Sequence, residues 1–153
     1  MIATSGNFHG SPICSDEQEA TRILNPIADY FMHNTLQIQH PQDDSVIQFS
    51  NQNKQKVVLW RSRGFAPNVP FEKPKNTHQK IMCLGGDLKN TLAIVPNNQC
   101  YVSEYIGDLG NYETYNRFEK TIEKYQTIFS FSPDVIVADK HPNYENNAII
   151  TKF

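Results

Sequence analysis

The 153-residue sequence has no apolar run that approaches the ~20 residues of a membrane span. Its first residues do not pair a basic stretch with an apolar one, so a secretory leader is not expected. Charge of one sign is missing too. Fourteen Lys and Arg stand against sixteen Asp and Glu, a net charge of −2, which gives no electrostatic case for nucleic acid or an anionic membrane. Cysteine is scarce and scattered. Cys14, Cys83 and Cys100 form no C-x-x-C pair, so neither a zinc ribbon nor a thioredoxin-type site is expected, and no metal site is assigned. Cys83 and Cys100 fall in apolar segments and read as reduced core residues, which implies a cytoplasmic location.

What is present is aromatic and punctuated. Nine Phe, seven Tyr and one Trp argue against disorder. The length allows one ordinary domain or two smaller pieces. Residues 81–109, IMCLGGDLKNTLAIVPNNQCYVSEYIGDL, read as strand, polar turn, strand, two-residue turn, strand. The polar turn, Gly85-Gly86-Asp87-Leu88-Lys89-Asn90-Thr91, combines two glycines with a lysine, an amide and a hydroxyl. Glycine lets backbone approach a ligand, and backbone N–H groups with a lysine suit phosphate. The spacing is not that of a P-loop and no helix follows, so on spacing alone an ordinary hairpin turn is the better reading.

Upstream, Ile2–Thr4 resembles the end of a strand, and Ser5-Gly6-Asn7 turns out of it. The Ser5 and Asn7 side chains could reach a phosphate or carboxylate, although on spacing alone they serve the local backbone. Ser15-Asp16-Glu17-Gln18 has the form of a capping box with Ser15 as N-cap, opening a helix to about Leu24 that Pro26 stops. Ile27–Met32 reads as a short strand, and 33–42 as loop. Val46–Phe49 and Val57–Trp60 read as two strands joined at 51–53. The neighbouring Asp43 and Asp44 are expected to cap a strand and pair with Arg61 or Arg63. Residues 61–78, RSRGFAPNVPFEKPKNTH, lack any period and read as a linker.

Strands are expected near 79–84, 91–96 and 99–105, with Asn97-Asn98 as a tight turn. Asn111 can cap a helix over about 112–130. Tyr115, Phe118, Ile122, Tyr125 and Phe129 recur at helical spacing and form its core face, with Arg117 and the other charges largely elsewhere. Asp134–Ala138 reads as a buried strand, so the order is βββαβ and part of the sheet is parallel. Asp139 and His141 then lie beyond the carboxyl end of a strand, where open α/β sheets place ligand groups. A lone histidine there more often turns the chain. Both ends look cut, the first inside a domain and the last before a sheet is complete. Two partial domains would expose sheet edges and apolar faces, so poor solubility or dependence on other chains is expected.

The strings ATSGNFHGSPIC, DDSV, RSRGFAP, LGGDLKNT, S-x-x-IGDL-x-N-x-ET and D-x-HP-x-Y occur in this order. Together they resemble the [NiFe]-hydrogenase maturation carbamoyltransferase (HypF) family, over nearly the whole chain. The resemblance implies an α/β fold in two partial domains. Residues 1–62 would be the end of a YrdC-like domain, 63–78 a linker, and 79–153 the βββαβ start of an actin-like ATPase-type (ASKHA) domain. It further implies that carbamoyl phosphate and ATP are combined into a carbamoyl-adenylate. The carbamoyl group then passes to the C-terminal cysteine thiolate of a HypE-type partner, for synthesis of cyanide ligands.

By the same resemblance, Ser5 and Asn7 match a nucleotide-contacting S-x-N element. Gly85, Gly86, Lys89, Asn90 and Thr91 match a phosphate-side turn. Arg61, Arg63 and Gly64 match a string at the domain junction. Ser103, Gly107, Asp108, Asn111, Asp139 and His141 match further motif positions without an assigned catalytic role. The sequence departs from the family pattern in two places. The arginines expected between His33 and Asp43 are replaced by Thr35, Leu36 and Pro41, and an expected S-Q-H is Ser103-Glu104-Tyr105. The metal motifs of full-length members fall outside the chain. A non-catalytic remnant, or a module that holds nucleotide or partner, is the alternative from another class. The tRNA threonylcarbamoyl-adenosine machinery shares both domain types, but the RSRGFAP join and the lack of a basic surface argue against it.

Overall fold

The computed structural model describes residues 2, 4–38, 40–67 and 78–153. Most of the expected linker, 68–77, lies outside the described residues, as does part of the expected first strand. The elements in order are α1 (Glu17–Leu24), β1 (Val46–Phe49), β2 (Lys56–Trp60), β3 (Ile81–Cys83), β4 (Ala93–Val95), β5 (Tyr101–Val102), α2 (Tyr112–Ile128), β6 (Val135–Val137) and α3 (Asn147–Ile150). β1 and β2 form a two-stranded antiparallel ribbon. The other strands form one sheet in the order β5-β4-β3-β6. β3 pairs antiparallel with β4 and parallel with β6, as the helical crossover between them requires.

The second region builds the core. Met82, Leu84, Leu92, Ile94, Ile106, Leu109, Phe118, Ile122, Tyr125, Phe131 and Ile149 form one buried cluster. Phe118, Ile122 and Tyr125 supply the face of α2 that the three-and-four spacing marks out. Asn111 caps that helix, its side-chain oxygen accepting from the N–H groups of Glu113 (2.9 Å) and Thr114 (3.1 Å). The pairings Ala93↔Val102 and Ile94↔Tyr101 put Asn97 and Asn98 at the hairpin tip, with Asn98 at φ 61°.

Several expectations are corrected. The α1 N-cap is Asp16, one residue after Ser15; its carboxylate accepts from Gln18 and Glu19 N–H at 2.9 Å. A carboxylate there also complements the positive end of the helix. Residues 27–32 form no strand. A strand needs a ladder partner and none lies beside them among the described residues, so Tyr30 and Met32 stay fully in solvent. Arg117 is buried with the apolar face of α2 and takes Asp43 as its ion-pair partner, which Arg61 and Arg63 do not. Cys83 and Cys100 are half-buried free thiols outside the core cluster. The outer edge of β5 is covered in part: Tyr105 N–H donates to Arg61 O and Val102 N–H to Pro67 O. No helix among the described residues is long and apolar enough to cross a membrane.

Candidate functional site

The Gly85–Thr91 turn is held open by its own side chains. Gly85 sits at φ 71°, and a Cβ there would lie 2.4 Å from the Thr91 carbonyl oxygen, so only glycine fits. The Asn90 amide is buried and donates to Leu84 O (2.8 Å) and Gly86 O (2.6 Å), bridging the two sides of the turn. Lys89, itself at φ 51°, donates its N–H to Asp108 Oδ1 at 2.7 Å. Asn90 and Gly107 bridge the turn to the 107–109 loop, and Leu109 N–H donates to Asp87 O. From the other side Asn146 Nδ2 donates to Gly85 O (2.8 Å) and Glu145 N–H to Asp87 Oδ1 (2.9 Å).

The result is a turn braced from several sides. Among the described residues, the N–H groups of Gly86, Asp87 and Leu88 donate to no protein acceptor. The Lys89 side chain is exposed beside them. Free backbone donors in a fixed turn next to an ammonium can cradle an oxyanion. The Asp139 carboxylate lies close to Gly86, so β6 delivers one acid to the same place.

Of the positions singled out in the sequence, Gly85, Gly86, Lys89, Asn90, Gly107, Asp108 and Asp139 therefore come together. Others take structural work. Ser103 is buried; its hydroxyl accepts from Leu92 N–H and donates to Glu104 O. Asn111 is a helix cap. Thr91 supplies the carbonyl that excludes any side chain at 85. His141 stacks on Tyr144 at a ring separation of 4.5 Å, and Asn143 N–H points at its Nδ1. Asn7 donates to Phe8 O and Ser11 O, which closes its own loop, and Ser5 is exposed. Arg61 bonds Phe65 O at 2.7 Å and Arg63 reaches towards Gln42 O. Asn146 was missed, and nothing local marks it: it meets Gly85 only because the sheet brings together residues sixty-one apart.

A second polar site lies at the junction of the two regions. His40 Nε2 is 3.1 Å from Glu104 Oε1, and Glu104 is 1% exposed. Burial would raise the Glu104 carboxyl, but the His40 hydrogen bond and the His40 and Arg117 charges outweigh it and hold it below its ordinary range. Burial pulls the Lys124 ammonium down and pushes the Tyr125 hydroxyl up. His40, Glu104, Arg117 and Lys124 border a cleft of about 690 Å³ between α1 and α2. Among the described residues no group of three His, Cys, Asp or Glu is arranged to hold a metal ion.

The comparisons with known proteins match this division. Residues 1–62 match the Sua5/YciO/YrdC family, described as telomere recombination. A YrdC-type piece followed by the beginning of a Kae1-like, actin-type ATPase fold defines the class: an α/β chain made of two partial domains. Residues 76–153 match the family described as "HypF Kae1-like domain". The chain belongs to the HypF family. It is 43% identical over 159 aligned residues to "Carbamoyltransferase HypF" of Synechocystis sp., covering all of this chain and 20% of that protein. To the "Probable carbamoyltransferase HypF" of Methanocaldococcus jannaschii it is 34% identical, over 97% of this chain and 19% of the relative. A crystal structure of full-length HypF in its phosphate- and nucleotide-bound form superposes with a TM-score of 0.87 at 34% identity, over 98% of this chain and 23% of that one. The HypF of T. kodakarensis gives 0.84 at 33% identity, over 97% of this chain and 19% of that one. The chain thus spans about a fifth of the length of the relatives it matches.

Proposed function

We propose that this chain supplies parts of the two sites of a hydrogenase-maturation carbamoyltransferase, using ATP and carbamoyl phosphate to carbamoylate the C-terminal cysteine of a HypE-type protein. The reading is supported above all by the Gly85–Thr91 turn. It is a braced turn with unpaired backbone donors and an exposed Lys89, in a chain that superposes on a HypF with phosphate and nucleotide bound. On this reading Gly85, Gly86 and Lys89 face the phosphates, and Asn90 and Thr91 shape the turn. On the same reading the exposed Ser5, and Asn7 through its free amide oxygen, would contact nucleotide in the YrdC-like part. The reaction needs a good leaving group and a soft nucleophile. An adenylate provides the first, and attack by a thiolate on the carbamoyl carbon expels AMP.

The test is carbamoyl-phosphate-dependent exchange of pyrophosphate into ATP. Exchange that appears only when the rest of the two domains is added as a second polypeptide supports a split enzyme. No exchange in either case favours the non-catalytic alternative, a module that binds nucleotide or partner. The exposed apolar ribbon β1–β2 lends that alternative its weight, since one face of a site alone performs no turnover. Lys89→Ala should leave the melting temperature unchanged and weaken nucleotide binding by about tenfold, the loss of one charged contact.

A further inference from the structure

We propose that His40 and Glu104, backed by Arg117 and Asp43, form a clamp that fixes how the YrdC-like and Kae1-like regions sit on one another. They would be positioning residues for whatever passes between the two parts, and the proposal does not rest on the carbamoyl reading. Residues 40–43 are gripped at both ends by the second region. His40 meets Glu104 at the end of β5, and Arg117 on α2 binds Asp43 (3.1 Å) and the Pro41 carbonyl (3.2 Å). Beside this clamp Tyr105 stacks on Trp60, ring centroids 4.7 Å apart and 9° from parallel, and its N–H donates to Arg61 O.

Every buried apolar side chain among the described residues belongs to the second region, so no shared apolar core sets the orientation. Directional polar contacts must do so. A buried charge pair is a poor source of stability but a good source of register, because only one arrangement satisfies it. Other titratable groups surround the pair: Lys124 and Tyr125 from α2, and Glu19 and Arg22 of α1, which line the same cleft. The contact between the imidazole and the Glu104 carboxylate is an ion pair only when the imidazole is protonated. It is lost at more acid pH, when the Glu104 carboxylate, held below its ordinary value, takes up a proton.

Amide hydrogen exchange on the full chain tests this. The reporters are the Tyr105 N–H, which bridges the junction, and the Leu84 N–H, which bonds Val137 O inside the second region. Glu104→Gln and His40→Gln should each lower protection at Tyr105 by about tenfold or more and leave Leu84 unchanged. The double variant should be no worse than either single one, as expected for a coupled pair. Additive effects or equal loss at Leu84 would overturn the proposal. Should Glu104→Gln fail to fold, His40→Gln carries the test, since His40 lies at the cleft edge and is 26% exposed.

Discussion

The two regions of this molecule obey the same rules of local structure and differ in what covers them. Residues 78–153 bury eleven apolar side chains in one cluster. Among the described residues up to 67, none is a buried apolar residue, and Ser62 alone is buried. α1 has a good cap and buries no residue. The β1–β2 ribbon exposes Ile47, Phe49, Val57, Leu59 and Trp60. Two strands and a short helix cannot enclose a core, whereas a four-stranded sheet with one long helix across it can. Secondary structure and stability are therefore separate achievements in this chain.

That contrast can be broken most forcefully at Phe118, which is fully buried under the sheet. Phe118→Ala should cost about 3–5 kcal/mol and abolish or sharply lower the cooperative urea transition of the second region. A loss under 1 kcal/mol, on the order of a surface substitution, would mean the second region has no tighter core than the first. Gly85→Ala should cost roughly 1–3 kcal/mol, because the added Cβ meets the Thr91 carbonyl and φ is positive. A calorimetric melt measures it, and an unchanged melting temperature would show that the turn is not held as described. Asn90→Ala removes the donor to Leu84 O and Gly86 O; about 1–2 kcal/mol should be lost, and any phosphate binding with it. The smallest effect is expected at Leu59, half-exposed on the ribbon. Leu59→Ser should change the stability of the isolated chain by no more than about 0.5 kcal/mol. The same substitution should matter much more once a polypeptide completing the YrdC-like domain is added, and a large loss without it would place a hidden cover on the ribbon.

Much of this was legible in the residues. The α2 stripe, the Asn111 cap, the βββαβ order and a partly parallel sheet follow from period, cap chemistry and the helical crossover, all local or nearly so. The Gly85–Thr91 segment was legible as a turn from its two glycines and polar residues. Other features were not. Ile27–Met32 has the composition of a strand but no neighbour to pair with among the described residues. Arg117 carries the charge of a surface residue, yet Asp43 and Pro41 O arrive to receive it from seventy-four and seventy-six residues away. Ser103 and Asn90 stand out in the sequence only as motif positions, and their backbone partners Leu92, Leu84 and Gly86 emerge only in the fold.

The sequence by itself determined which segments become strand, helix and turn, and which family the chain resembles, since these depend on neighbours a few residues apart and on ordered strings. Only the tertiary structure decided that Asn146 holds Gly85, that Asp108 seats Lys89, and that His40 meets Glu104. Those pairings depend on how the sheet closes, and a polar side chain carries no mark of its distant partner until burial removes water as the alternative.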